Sequence, residues 1–128
     1  MRVATISLDI RWQDIEENLR RAEEFVTKAK ADGCDVVVFP EVFNTGFIAD
    51  MGKYCEAPNC RTHQALQQFS LNHLIGVVAG ITEKPANKKA NNLAFVFDHY
   101  GQEVARYSKL QPFNYANEGK YFASGNET

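Results

Sequence analysis

At 128 residues, 45% hydrophobic and 12% aromatic, the chain has the length of one domain and enough apolar side chains for a packed core, which excludes a disordered polymer. A formal net charge of −2 leaves no dominant basic face and argues against a nucleic-acid or anionic-membrane partner. No apolar run approaches the roughly 18 residues of a membrane-spanning helix, and three cysteines, an odd count, suit reduced thiols better than a disulfide framework.

The opening "MRVATISLDIRWQD" alternates like a strand over residues 2–9 and lacks the apolar core of a signal peptide, so the expected compartment is the cytoplasm. Asp14 followed by Glu17 reads as a capping box. A helix is expected from there to about Asp32, with Ile15, Leu19, Ala22, Val26 and Ala29 as its apolar stripe and Gly33 as its stop. "DVVVF" shows no alternation and reads as a strand covered on both faces, which completes a strand–helix–strand unit and indicates an α/β fold. Residues 42–60 read as a loop, and 62–73 as a second helix with Ala65, Leu66 and Phe69 inward. "LIGVVAGIT", "LAFVFD" and "EVARYSK" read as a meander of three strands, so the sheet is expected to be mixed. Lys84, Lys88 and Lys89 read as a solvated hairpin tip. No periodicity emerges from Leu110 onward, and no interdomain linker is visible, so residues 1–128 read as a single domain.

Four places rise above core patterning. Glu41 follows a buried strand directly, where α/β sheets gather their ligand-binding residues; a loop cap or salt bridge is the plainer alternative. Lys109 ends a strand; it is either a snorkelling surface residue or a cation held near Glu41. Glu118 precedes Gly119 in a loop and can be solvated or functional. Asn91 and Asn92 read as turn residues before a strand. His63, His73 and His99 make no metal-ligand spacing with Cys34, Cys55 or Cys60, and no glycine-rich phosphate loop is present.

The order of these features, "FPE" after a buried strand, then "NN"–strand–turn–strand–"YSK", then "NEG", resembles the carbon–nitrogen hydrolase (nitrilase) superfamily. The segments "FPEVFNTGF" and "KLQPFNYANEGKYFASG" are most similar to its omega-amidase-like branch. The resemblance covers the chain and corresponds to the amino-terminal part of such a protein. It implies part of an α-β-β-α sandwich, pairing into homodimers or higher homo-oligomers, and hydrolysis of a small non-peptide amide with no metal or organic cofactor. It also implies roles: Glu41 as general base, Lys109 as the oxyanion-side cation and Glu118 as a supporting glutamate. The family's nucleophilic cysteine follows the second glutamate by a few tens of residues, and Cys34, Cys55 and Cys60 do not occupy that position. The 128-residue chain is therefore expected to be a partial domain, inactive alone. The rival expectations are an N-carbamoyl or nitrile hydrolase within the family, or a non-catalytic nitrilase-like binding or assembly module.

Overall fold

The structure is a computed structural model that describes residues 1–47, 54–112 and 118–126, with only the backbone of Glu118. One mixed five-stranded sheet runs in the order β1-β2-β3-β4-β5. Its strands are β1 (Val3–Thr5), β2 (Val36–Val38), β3 (Gly76–Glu83), β4 (Asn91–Phe97) and β5 (Glu103–Ser108). The first three are mutually parallel, and β3, β4 and β5 form the antiparallel meander. Helices α1 (Ile15–Ala31) and α2 (Arg61–His73) pack against each other, and the short α3 (Glu118–Tyr121) follows the meander.

Local chemistry explains the helix limits. The Asp14 carboxylate accepts from Glu17 N at 3.1 Å and satisfies one of the orphan donors of α1. The Glu17 carboxylate does not complete the capping box; it pairs with Arg20 and Arg21 instead. Gly33 closes the helix in the left-handed region at φ +73°, where a Cβ would be strained. Helix α2 has no side-chain cap from its own N-cap residue, Cys60. The Glu56 carboxylate does that work from the preceding loop, accepting from Thr62 N at 3.0 Å and from Thr62 Oγ1.

Both helices lie on one face of the sheet. Leu19, Ala22, Val26 and Ala29 of α1 and Ala65, Leu66 and Phe69 of α2 are buried against Val37, Val77, Ala79, Ile81, Phe95 and Phe97. Fully burying one of the larger of these side chains contributes roughly 1.5–3 kcal/mol. The opposite face carries Val36, Val38, Val78, Ala94 and Val96, all only partly buried, with Tyr107 47% exposed. The expectation that "DVVVF" is covered on both faces is therefore corrected: Val37 is fully buried, while its neighbours face the side that no helix of the described residues covers.

Other differences are local. The first strand is three residues long rather than eight, because only residues beside β2 find ladder partners. Asn91 and Asn92 belong to β4, paired with Glu83 and Thr82, rather than to the turn before it. Lys89 is exposed at the hairpin but is also tied down, donating to Gly119 O at 2.6 Å.

Candidate functional site

The site begins with a backbone crossing. The segment after β2 passes so close over β3 that a Cβ on Gly80 would lie 2.7 Å from Glu41 Cα and 3.1 Å from Pro40 O. Only glycine permits that approach. Phe39 N donates to Val78 O at 2.8 Å and Phe43 N to Gly80 O at 3.1 Å, so Glu41 is bracketed by two sheet-type bonds. Val42, next in line, has φ +56° and is fully buried. A β-branched residue in the left-handed region is an outlier that costs about 1–3 kcal/mol and persists only when its surroundings impose it.

The loop beyond Val42 is held by a buried polar network. Asn18 of α1 donates to Arg11 O at 2.7 Å and to Asn44 O at 2.9 Å, while its Oδ1 accepts from Arg11 N at 2.8 Å. Asn44 Nδ2 reaches Glu56 Oε2 at 3.3 Å, and Thr45 meets Thr82 of β3 at 3.4 Å between hydroxyls. Every buried side-chain polar atom among the described residues has a partner, as a low-dielectric interior demands.

Three side chains then converge on the face of the sheet opposite the helices. Lys109 Nζ lies 2.8 Å from Glu41 Oε1, and Asn92 Nδ2 donates to the same oxygen at 2.6 Å. The backbone of Lys109 is fixed from both sides: its N–H donates to Asn92 O at 2.9 Å, and its carbonyl accepts from Gly125 N at 2.9 Å. Burial pushes the Glu41 carboxyl up, but the hydrogen bonds from Lys109 and Asn92 and the Lys109 charge outweigh it, holding the carboxyl below the ordinary range. Glu41 is thus an anion at neutral pH, able to accept a proton. Its side chain is 46% exposed and that of Lys109 is 29%, so the pair is a half-open ion pair. A cleft of about 360 Å³ opens beside it, lined by Val78, Ala94 and Tyr107 together with Glu41, Asn92 and Lys109.

Glu41 and Lys109, 68 residues apart in sequence, are brought together. Glu118 starts α3; its side chain lies outside the described residues. Of the aromatic side chains that the sequence offers for packing around the site, Phe43 is buried in the core and stacks on Phe39 at 5.2 Å; Phe113 and Tyr115 lie outside the described residues. None of the three cysteines lines the cleft. Cys34 belongs to the main core, Cys60 starts α2, and burial raises the Cys55 thiol, which keeps it protonated. Sequence reasoning missed the part played by Asn92. The signal was present in the doublet before "LAFVF", but a turn explained it equally well until the register of β4 was known.

Residues 2–128 match the carbon-nitrogen hydrolase family. The chain is 26% identical over 126 residues to 2-oxoglutaramate amidase of Bacillus subtilis (strain 168), covering 98% of this chain and 48% of the relative. It is 31% identical over 106 residues to human omega-amidase NIT2, covering 81% of this chain and 38% of the relative. An amidase from Nesterenkonia sp. superposes with a TM-score of 0.90 at 21% identity, over 99% of this chain and 49% of that one. The chain thus spans about half the length, or less, of the proteins it matches. No helix of the described residues is long and apolar enough to cross a membrane. With a family match along essentially its whole length, the chain belongs to the carbon–nitrogen hydrolase family.

Proposed function

We propose that this chain supplies the base and the oxyanion-side cation of an amidase-type hydrolase acting on small non-peptide amides, and that residues 1–128 form one partial catalytic domain. The observation that carries this reading is the Glu41–Lys109 pair at 2.8 Å, set in a cleft on the sheet face opposite α1 and α2. The amidase relatives support the substrate class, and an omega-amide of a dicarboxylic acid is the substrate we favour.

In this mechanism a cysteine thiol other than Cys34, Cys55 and Cys60 enters the cleft, and Glu41 takes its proton. The sulfur attacks the amide carbon, the carbonyl electrons move onto oxygen, and the Lys109 ammonium stabilises the oxyanion. Collapse breaks the C–N bond, and protonated Glu41 returns the proton to the departing amine. Glu41 then removes a proton from water, whose oxygen attacks the thioester; the C–S bond breaks, the acid leaves and protonated Glu41 returns its proton to the thiolate. Glu118 supports the pair in this scheme. A mutant of the amidase from Nesterenkonia sp. AN1 shows the result of Michael addition of acrylamide at the active-site cysteine, which supports a thiol nucleophile by analogy.

Ammonia release from a panel of small amides tests the proposal. A protein carrying this chain together with a cleft thiol should turn over, its Glu41→Gln variant should not, and the 128-residue chain alone should be inert. Hydrolysis by the chain alone that survives Glu41→Gln would overturn the mechanism.

A further inference from the structure

Asn92 holds both members of the pair at once. Its side chain grips the Glu41 carboxylate at 2.6 Å, and its backbone carbonyl receives the Lys109 N–H at 2.9 Å. Its side chain is almost fully buried, the residue being 5% exposed, so it cannot be exchanged for water without opening the sheet. Paired with Thr82 in the β3–β4 ladder, it has a position set by that register rather than by a mobile loop.

The direction of the contacts matters as much as their number. Asn92 and Lys109 both donate to Oε1, and among the described residues Oε2 receives no hydrogen bond. A carboxylate whose one oxygen is saturated by two donors presents the other as its basic site. We propose that Asn92 is a positioning residue of this site: it orients Glu41 so that Oε2, not Oε1, accepts the nucleophile's proton, and it sets Lys109 at a fixed distance from that carboxylate. This rests on the reading of Glu41 as the general base. Lys109 and Tyr107 are the other titratable groups of the described residues that line the same cleft.

Asn92→Leu keeps the branched heavy-atom skeleton and removes the donor. Carbon-13 NMR titration of the Glu41 carboxyl in the 128-residue chain reads the contact without any need for turnover. The Glu41 midpoint should move up in Asn92→Leu and stay in place in Asn91→Leu, a change on the opposite face of β4. In an active protein carrying this chain, Asn92→Leu should lower kcat about 100-fold with little change in KM, and the acid limb of the kcat/KM profile should shift up with the NMR midpoint. If Asn92→Leu does not fold, Asn92→Asp retains the shape and should raise the Glu41 midpoint by placing a second carboxyl against it. An unmoved Glu41 midpoint in the folded variant overturns the inference, as does an unmoved acid limb in an enzyme that Glu41→Gln inactivates. An enzyme that Glu41→Gln leaves active overturns instead the reading of Glu41 as base.

Discussion

The two faces of the sheet solve opposite problems. On the helix side, Phe95 and Phe97 stack with ring centroids 6.3 Å apart, and His63 packs edge-on against both at 5.2 Å. Packing of this kind is non-directional and tolerates conservative change. On the other side, Glu41, Asn92 and Lys109 meet through two short directional bonds, beside a strained Val42 and a glycine whose added Cβ would collide with the Glu41 backbone. One face contributes stability; the other uses some of it to hold polar groups where a reaction could occur. The separation follows from the pleat, because alternate residues of β3, β4 and β5 point to opposite sides.

Mutations sharpen the contrast. Phe95→Ala should destabilise the fold by about 3–5 kcal/mol in chemical denaturation, by opening a cavity under α2. Lys109→Ala should cost about 10²–10³-fold in turnover of an active protein, while its denaturation midpoint moves little, because a half-exposed ion pair contributes at most about 1 kcal/mol. Retained turnover would return Lys109 to a surface role. Gly80→Ala should affect both faces, with about 1–3 kcal/mol lost to overpacking against the Glu41 backbone and activity falling further than stability alone explains. Asp14→Ala, remote from the cleft, should cost about 1 kcal/mol through the lost N-cap and leave catalysis unchanged.

The smallest effect is a pH dependence. The folded-state pKa of Glu41 is depressed, so its stabilising contribution is present above the unfolded carboxylate value and is lost as pH falls through the folded one. Subtracting the Glu41→Gln denaturation curve from that of the parent chain at neutral and at acidic pH isolates this difference, which should shrink on acidification. A difference that grows in acid would mean that Lys109 does not hold the carboxylate down.

Much of the fold was legible in order. The Asp14 cap, the α1 stripe, the Gly33 stop, the second helix and the final meander all follow from short-range rules, because capping and periodicity are properties of neighbouring residues. Coverage of β2 was not legible. An unbroken apolar run reports that a strand has two apolar faces, and not whether a layer lies on each. Nor was the polar support of the site: Asn18 occupies an ordinary helix position in sequence, yet it fastens two loops through three hydrogen bonds.

By itself, the sequence determined the family, through a carboxylate after an apolar strand, a lysine after a meander and the pattern that links them. Tertiary structure alone decided that these residues meet, at which oxygen, and with Asn92 as the third partner. The reason is the length scale. A hydrogen bond needs a donor within about 3 Å of its acceptor, and only the register of β3, β4 and β5 brings residues 41, 92 and 109 within that distance.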